Sequence, residues 1–190
     1  MPAPPDLEAL RAAVAGGQRF DYRFFWGHRA ARSGGVSDAC FSQWWHCHFV
    51  VDRQPYLTAE QWMMASKARL FADGAIAASI VATADPREVK ALGRCVRGFD
   101  EARWAAARFD IVTRGNIAKF GQNPELRAHL MSTGDAVLVE ASPTDGIWGI
   151  GLARSDPDAA DPRRWRGLNL LGFALVRARG VLRGELPPPV

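Results

Sequence analysis

Apolar residues recur at helical spacing along most of the chain, and a helix-start signal precedes nearly every such stretch. Thr58 is followed three positions later by Gln61, and Asp85 is followed by Pro86 and Glu88, which are signatures of capped helix N-termini. Together these signals predict helices over residues 6–14, 58–71, 75–82, 85–96, 100–120, 123–133 and 167–182.

Strand signals are short and few. The β-branched runs at 46–51 and 136–141 predict strands, and residues 20–57 as a whole are typical of short strands and loops. The polar segment 156–166 predicts a loop. The regular alternation of strands and helices that builds a doubly wound parallel sheet is missing. The pattern therefore predicts a mainly helical fold with a few short β-strands.

Length and composition narrow this fold to one ordinary globular domain. The 190 residues are 48% hydrophobic and 23% charged, which excludes a disordered, collagen-like or coiled-coil chain. Proline-rich ends suggest frayed tails, so we expect an N-terminal extension over 1–19, a domain over 20–183 and a tail over 184–190. Because no apolar run is long enough for a transmembrane helix and no secretory signal is visible, we expect no membrane association.

The charge balance is mildly basic. With 24 lysines and arginines against 20 aspartates and glutamates, the net charge is +4, which favours an anionic ligand such as a phosphate without being a nucleic-acid footprint. We interpret the basic residues that cluster late in the chain as a solvated arginine-rich surface rather than a binding site. Three cysteines without a C-x-x-C pair argue for a reducing compartment, so we expect a cytoplasmic protein.

The segment from Cys40 to His46, Cys47 and His48 contains potential metal ligands. His46 and His48 would share one face of a strand, but no second ligand pair stands at a usual zinc spacing. We therefore interpret these residues as buried or edge-strand side chains and expect no metal and no cofactor. P-loop, nucleophile-elbow and zinc-protease motifs are also absent from the sequence.

The helix that begins after Thr58 carries the first unusual stripe. Glu60, Met63, Met64 and Lys67 lie at i, i+3, i+4 and i+7, so they share one helical face. A carboxylate and an ammonium flanking two methionines suit a pocket wall. The alternative is an amphipathic helix whose charged ends reach water.

The second unusual segment runs from Val139 to Gly151. Glu140 ends a β-branched run, and a turn then places Asp145 three residues before Trp148 and close to Gly149. An aromatic ring can stack on a base or a sugar while a carboxylate accepts its hydrogen bonds. The alternative is a core tryptophan that follows a turn. If the two segments meet, Glu60, Asp145 and Lys67 could serve the hydrolysis of a glycosidic or aminal bond.

Ordered motifs through the chain add up to a family resemblance. They are Phe24-Phe25-Trp26-Gly27-His28, Phe41-Ser42-Gln43-Trp44, Tyr56 to Ala68, Asp85-Pro86 with Lys90 and Leu92-Gly93-Arg94, Phe99-Asp100 with Trp104, Gly115-Asn116 with Lys119-Phe120 and Asn123, Thr133-Gly134-Asp135 with Val139-Glu140-Ala141, Asp145 with Trp148 to Gly151, and Trp165 with Gly167, Asn169 and Leu171-Gly172. Across residues 24–182 the chain resembles the NADAR family, also described as YbiA-like proteins.

The resemblance implies a compact helical bundle and an enzyme that cleaves N-glycosidic bonds without a cofactor. The substrates known for the family are ADP-ribose attached to guanine and phosphorylated ribosylamino-pyrimidine intermediates of riboflavin synthesis, and both place a ribose C1 on an exocyclic amine. Carried over by motif, Glu60, Lys67 and Asp145 would be catalytic. The residues implied to bind substrate are Ser42, Trp44, Lys119, Glu140, Trp148, Gly149 and Asn169.

The sequence departs from the family pattern at two turns. Asp52-Arg53 stands where an aspartate-glycine turn is common, and Gly146 follows Asp145 where an arginine often stands. If that arginine contacts phosphate, substrate preference differs here. The implied partner is a small nucleotide or ADP-ribosyl compound, or ADP-ribosylated nucleic acid. The alternatives to an enzyme are a non-catalytic ADP-ribose-binding module and a helical protein that only binds a partner.

Overall fold

The computed structural model describes residues 3–28 and 35–189. Residues 1–2, 29–34 and 190 lie outside it, and with them the extreme ends of both expected tails. The helices are α1 (Leu7–Ala15), α2 (Ala59–Leu70), α3 (Gly74–Ala82), α4 (Pro86–Arg94), α5 (Glu101–Gln122), α6 (Pro124–Ser132) and α7 (Leu170–Leu182). The strands are β1 (Tyr22–Phe25), β2 (Phe49–Val51), β3 (Gln54–Tyr56) and β4 (Val137–Glu140), and 3₁₀ turns cover Asp38–Phe41, Pro157–Ala160 and Pro162–Arg164.

The helix starts follow the local capping signals. Thr58 Oγ1 accepts a hydrogen bond from Gln61 N at 3.1 Å, and Asp85 and Asp100 accept from backbone N–H groups of α4 and α5 in the same way. Gln61 Oε1 accepts from Leu57 N at 2.8 Å, one residue before the cap, so this is a variant of the predicted capping box. Local hydrogen bonding therefore explains why these boundaries are visible in the sequence.

The long helix α5 passes through the main core and packs against α7, α2 and α6. Gly115 makes room for the indole of Trp62, because a Cβ there would collide with its ring. The Trp62 ring nitrogen donates to Ile111 O at 2.7 Å, which fixes α2 against α5. In the described chain, no helix combines the length and the apolar character that crossing a membrane requires.

The first strand pairs with the last one. β1 lies parallel to β4 with Phe25 opposite Glu140, so the carboxyl ends of both strands meet at one edge. A second hydrophobic cluster covers this pair from outside and includes Leu10 of α1 and Phe173 of α7. This arrangement delivers Glu140 to the rim of the main core.

Two boundaries differ from the sequence prediction. The strand expected over 46–51 begins only at Phe49, because its partner β3 ends at Tyr56, where the chain turns into the cap of α2. The last helix begins at Leu170 rather than near 167, because Gly167 N donates to Ile150 O and Asn169 N to Gly149 O. The predicted polar loop 156–166 contains the last two 3₁₀ turns.

Candidate active site

A cavity of about 380 Å³ opens between α2, α4 and the segment that follows β4. Its wall brings together seven of the residues expected at the site, which are Ser42, Trp44, Glu60, Lys67, Glu140, Asp145 and Trp148. Trp26, His28, Gln43, Met63, Met64, Lys90 and Arg94 also line it. The α2 stripe and the 140–148 segment, which are about 80 residues apart in sequence, therefore face the same space.

Helix α2 supplies one wall of the cavity. Glu60 lies in its first turn, where its backbone N–H donates to Gln43 O at 2.9 Å, and its side chain is only 4% exposed. Burial raises the pKa of Glu60 to about 7. The positive charges of Lys90 and Arg94 and a hydrogen bond from the Trp44 side chain oppose this shift. Glu60 is therefore poised to gain or lose a proton near neutral pH.

Glu140 and Asp145 form the facing wall. Burial, Asp145 and Glu60 together raise the pKa of Glu140 to about 8, against the opposing charge of Lys90. Glu140 Oε2 is buried and makes no hydrogen bond with the described residues. Asp145 is held in place instead, because its Oδ1 accepts from Ile147 N at 2.9 Å and from Trp148 N at 2.8 Å.

Lys67 occupies the last turn of α2 and reaches a different part of the wall. Its Nζ donates to Gly93 O at 2.9 Å and lies 4.2 Å from the centre of the Phe99 ring. Burial lowers the pKa of Lys67, and the opposing charge is that of Glu101, not of Glu60. The Trp104 ring centre also lies within 5.8 Å of this ammonium.

Three of the expected binding residues lie behind the cavity wall. Lys119 is fully buried and donates to Cys40 O at 2.6 Å and to Ser42 O at 2.8 Å, so it supports the segment that carries Ser42. Asn169, in a left-handed conformation with φ 54° and ψ 34°, accepts from Glu140 N and donates to Leu138 O, both at 2.9 Å. These contacts position pocket residues and do not themselves reach the cavity.

Gly149 is also part of this supporting layer. A Cβ at this position would lie 2.8 Å from Glu140 O and 2.9 Å from the Ser142 Cβ. The residue must therefore be glycine if the 140–151 segment is to fold back on itself and hold Glu140 and Asp145 on one side of the cavity.

The NADAR domain model matches residues 24–183. The chain belongs to the NADAR family. Within this family, N-glycosidase R617 of Acanthamoeba polyphaga mimivirus is 41% identical over 163 residues, which cover 83% of this chain and 94% of that protein. The chloroplastic riboflavin biosynthesis protein PYRR of Zea mays is 36% identical over 106 residues, which cover 54% of this chain and 15% of PYRR.

The NADAR fold has also been solved experimentally. N-glycosidase YbiA of Escherichia coli is 29% identical over 135 residues, or 71% of this chain and 76% of YbiA. Its NMR structure superposes with a TM-score of 0.66 and 24% identity, covering 88% of each chain. The predicted mainly helical, single-domain fold with few short strands is thereby confirmed.

Sequence reasoning did not assign Trp26, His28, Gln43, Lys90 and Arg94 to the site, although all five lie in NADAR-like segments. Lys90 and Arg94 had a detectable signal, since they stand four residues apart on one face of α4. Gly93 lets this helix approach α2 closely, because a Cβ there would collide with the Met64 side chain. No local sequence pattern marked Gln43 as a residue of the site.

The NADAR site is not built around the cysteine-histidine segment. Cys40 and Cys47 are buried thiols, whereas His46 and His48 are exposed with their ring centroids 5.8 Å apart. Burial raises the pKa of Cys40 to about 12 and keeps the thiol protonated. Among the residues that the structure describes, no group of three or more His, Cys, Asp or Glu side chains is arranged to hold a metal ion.

Proposed function

We propose that this protein hydrolyses the N-glycosidic bond between a ribose C1 and an exocyclic amine. The enzyme class rests on relatives that are named N-glycosidases, the first of them 41% identical, and the chain is a hydrolase of N-glycosyl compounds. The observation that carries the finer proposal is the cavity itself. Within the described chain, three carboxyl groups and three cationic side chains line a space of about 380 Å³, which fits a ribose with part of its leaving group.

The raised pKa values support different roles for the carboxyl groups. Glu140, with a pKa of about 8, is protonated at neutral pH, and its free oxygen is available to donate a proton to the leaving nitrogen. Glu60 balances the positive charge that develops at C1 or directs the attacking water. Asp145, oriented by two backbone N–H groups, adds a fixed acceptor beside them.

Lys67 gives the reaction a covalent route. When the aminal opens to an imine, the neutral amine of Lys67 attacks C1 and forms a C–N bond. The bond from C1 to the leaving amine then breaks, and this amine takes up one proton from Glu140 and one from the Lys67 nitrogen, which leaves a protonated lysine imine. Water then hydrolyses the lysine imine and restores both groups. The lowered pKa of Lys67 supports this route because it makes the neutral amine more available. In the simpler alternative, Lys67 only pairs with a substrate phosphate.

Two substrate classes fit this chemistry. One is ADP-ribose on guanine, free or in nucleic acid, and the other is a phosphorylated ribosylamino-pyrimidine of riboflavin synthesis. Lys90 and Arg94, both exposed at the cavity, suit a phosphate in either class. Free thiols at Cys40, Cys47 and Cys95 fit the cytoplasmic setting that we propose.

Side-by-side turnover of the two substrate classes tests the proposal, with Glu60→Gln as the inactive control. We expect the wild type to release free base or pyrimidine from one class at a much higher kcat/KM. Binding of ADP-ribose with no release from either class would instead favour a non-catalytic ADP-ribose-binding module. Absence of both binding and release would favour a protein that only binds a partner.

A further inference from the structure

Gln43 carries an unpartnered hydrogen-bond donor at the cavity. Its side chain is only 7% exposed, lines the cavity, and its Nε2 is buried without a hydrogen bond to any described residue. A buried amide donor that is left unpaired loses its hydrogen bond to water without a replacement, which destabilises the fold. Such a group in a native structure calls for a specific explanation, and a ligand atom is the direct one at a cavity wall.

The orientation of this amide is fixed by helix α5. Asn116 Nδ2 donates to Val112 O at 2.9 Å and to Gln43 Oε1 at 3.2 Å. Flipping Gln43 would set two donors against each other, and flipping Asn116 would set its oxygen against Val112 O. Nε2 of Gln43 is therefore the atom that faces away from Asn116.

The chemistry of the neighbouring groups identifies what this donor binds. Neither Glu60 nor Glu140 accepts from Gln43 Nε2, although all three side chains line the cavity. A group placed between the amide and Glu60, which is proposed to act in its ionised form, must accept one hydrogen bond and donate another. A hydroxyl does both, whereas a carbonyl or phosphate oxygen only accepts and would face the carboxylate with its lone pairs.

We propose that Gln43 binds the 2-hydroxyl of the substrate ribose and determines specificity for ribosyl over 2-deoxyribosyl compounds. This inference rests on the proposed function. Gln43 O accepts from the backbone N–H of Glu60 at 2.9 Å, so the amide belongs to the residue next to the group that faces C1. The 2-hydroxyl stands on the carbon adjoining C1, and hydrogen bonds to it strengthen as positive charge develops in glycoside hydrolysis.

A cycle that pairs a protein variant with a substrate change tests the contact. Wild type and Gln43→Met are compared on guanine that carries ADP-ribose on its exocyclic amine, with the attached ribose in ribo, 2-deoxy and 3-deoxy form. We expect removal of the 2-hydroxyl to lower kcat/KM at least ~10-fold more in wild type than in Gln43→Met. The greater intrinsic lability of a 2-deoxy glycoside cancels, because both enzymes see the same substrates.

The controls separate the contact from general effects. Thr113→Val is the control variant, because it removes a buried hydroxyl that lies one turn from Asn116 on α5 and donates to Phe109 O. This variant should keep the full 2-deoxy effect. The 3-deoxy effect should be equal in wild type and Gln43→Met. If Gln43→Met does not fold, Gln43→Glu keeps the oxygen that faces Asn116 and replaces only the donor. Equal 2-deoxy effects in both enzymes, or coupling to the 3-hydroxyl instead, would overturn the proposal.

A binding measurement keeps this result distinct from the proposed function. Calorimetry with ribose 5-phosphate and 2-deoxyribose 5-phosphate reports the same contact without turnover. Coupling in binding without any hydrolysis would remove the proposed reaction and leave the hydroxyl contact standing. Normal hydrolysis without coupling in either measurement would leave the proposed reaction standing and remove the hydroxyl contact.

Discussion

Lys67 is half-buried and Lys119 is fully buried, and burial lowers the pKa of both lysines, yet we propose different roles for them. Lys119 is fully buried and donates hydrogen bonds to two backbone carbonyls. Lys67 gives one hydrogen bond to Gly93 O and faces the cavity beside the Phe99 ring. The direction of the pKa shift does not distinguish a reactive lysine from a structural one. What distinguishes them is access to the cavity and the number of N–H groups that are not already hydrogen-bonded to the protein.

The strongest test of the difference between the two lysines is Lys67→Arg, which keeps the charge but cannot form an imine. If Lys67 acts as the proposed nucleophile, we expect turnover to fall roughly 10⁴-fold or more while the melting temperature stays near that of wild type. Borohydride added during wild-type turnover should trap a covalent adduct on Lys67, detected by mass spectrometry. An active arginine variant with no adduct would reduce Lys67 to a charge partner for phosphate.

The next largest effect belongs to the other end of the same helical face. Glu60→Gln should lower kcat about 10²–10⁴-fold, the range for a positioned acid–base group, with the fold retained. Steady-state kinetics and circular dichroism check both parts. Turnover near the wild-type rate would remove Glu60 from the chemistry.

The lysine behind the wall should show the opposite behaviour. Lys119→Met leaves the carbonyls of Cys40 and Ser42 without their donor, so we expect the free energy of unfolding in urea to fall by about 3 kcal/mol. The turnover of the protein that remains folded should change by less than about tenfold. A loss of turnover as large as that of Lys67→Arg, in a stable variant, would erase the distinction between the two lysines.

Proton linkage extends the comparison to the carboxyl groups. The pKa of Glu140 is about 8 in the folded protein against 4.5 for a free side chain. Between these values the folded state holds a proton that the unfolded chain has released, so this group makes the free energy of unfolding fall as pH rises from about 5 to 8. Urea titrations across that range should show a smaller fall for Glu140→Gln than for wild type. Parallel curves would mean that Glu140 ionises normally in the fold.

The smallest effect concerns metal. Because the carboxyl and lysine groups suffice for the proposed chemistry, we expect a chelator to change neither turnover nor the melting temperature. Metal analysis of the purified protein is the matching measurement. Stoichiometric tightly bound zinc would show that the interpretation of Cys40, His46 and His48 was wrong.

Features with a local physical cause were accessible to sequence reasoning. Thr58, Asp85 and Asp100 begin helices because their side chains bond backbone groups two or three residues away. The common orientation of Glu60 and Lys67 follows from helical spacing alone. The meeting of this stripe with the Asp145 segment came from the family resemblance, since no spacing rule relates positions so far apart.

Features set by distant contacts were not accessible. Asn169 delays the start of α7 because it is held against β4, some 30 positions earlier in the chain. Lys119 stands in a helical pattern like any surface lysine, and only the fold places it under Cys40 and Ser42. The orientation of the Gln43 amide is set by Asn116, 73 positions away.

Gly149 and Gly172 restrict substitution in the layer that supports β4 and the segment after it. At both positions a side chain would strike backbone, with Glu140 O in one case and Leu138 O in the other. Helix α4 exposes Lys90 and Arg94 at the cavity, where a substitution meets no comparable backbone barrier. Substitutions on α4 can therefore alter which substrate handle is held, but they also shift the pKa of the buried Glu60, because Lys90 and Arg94 both lower it.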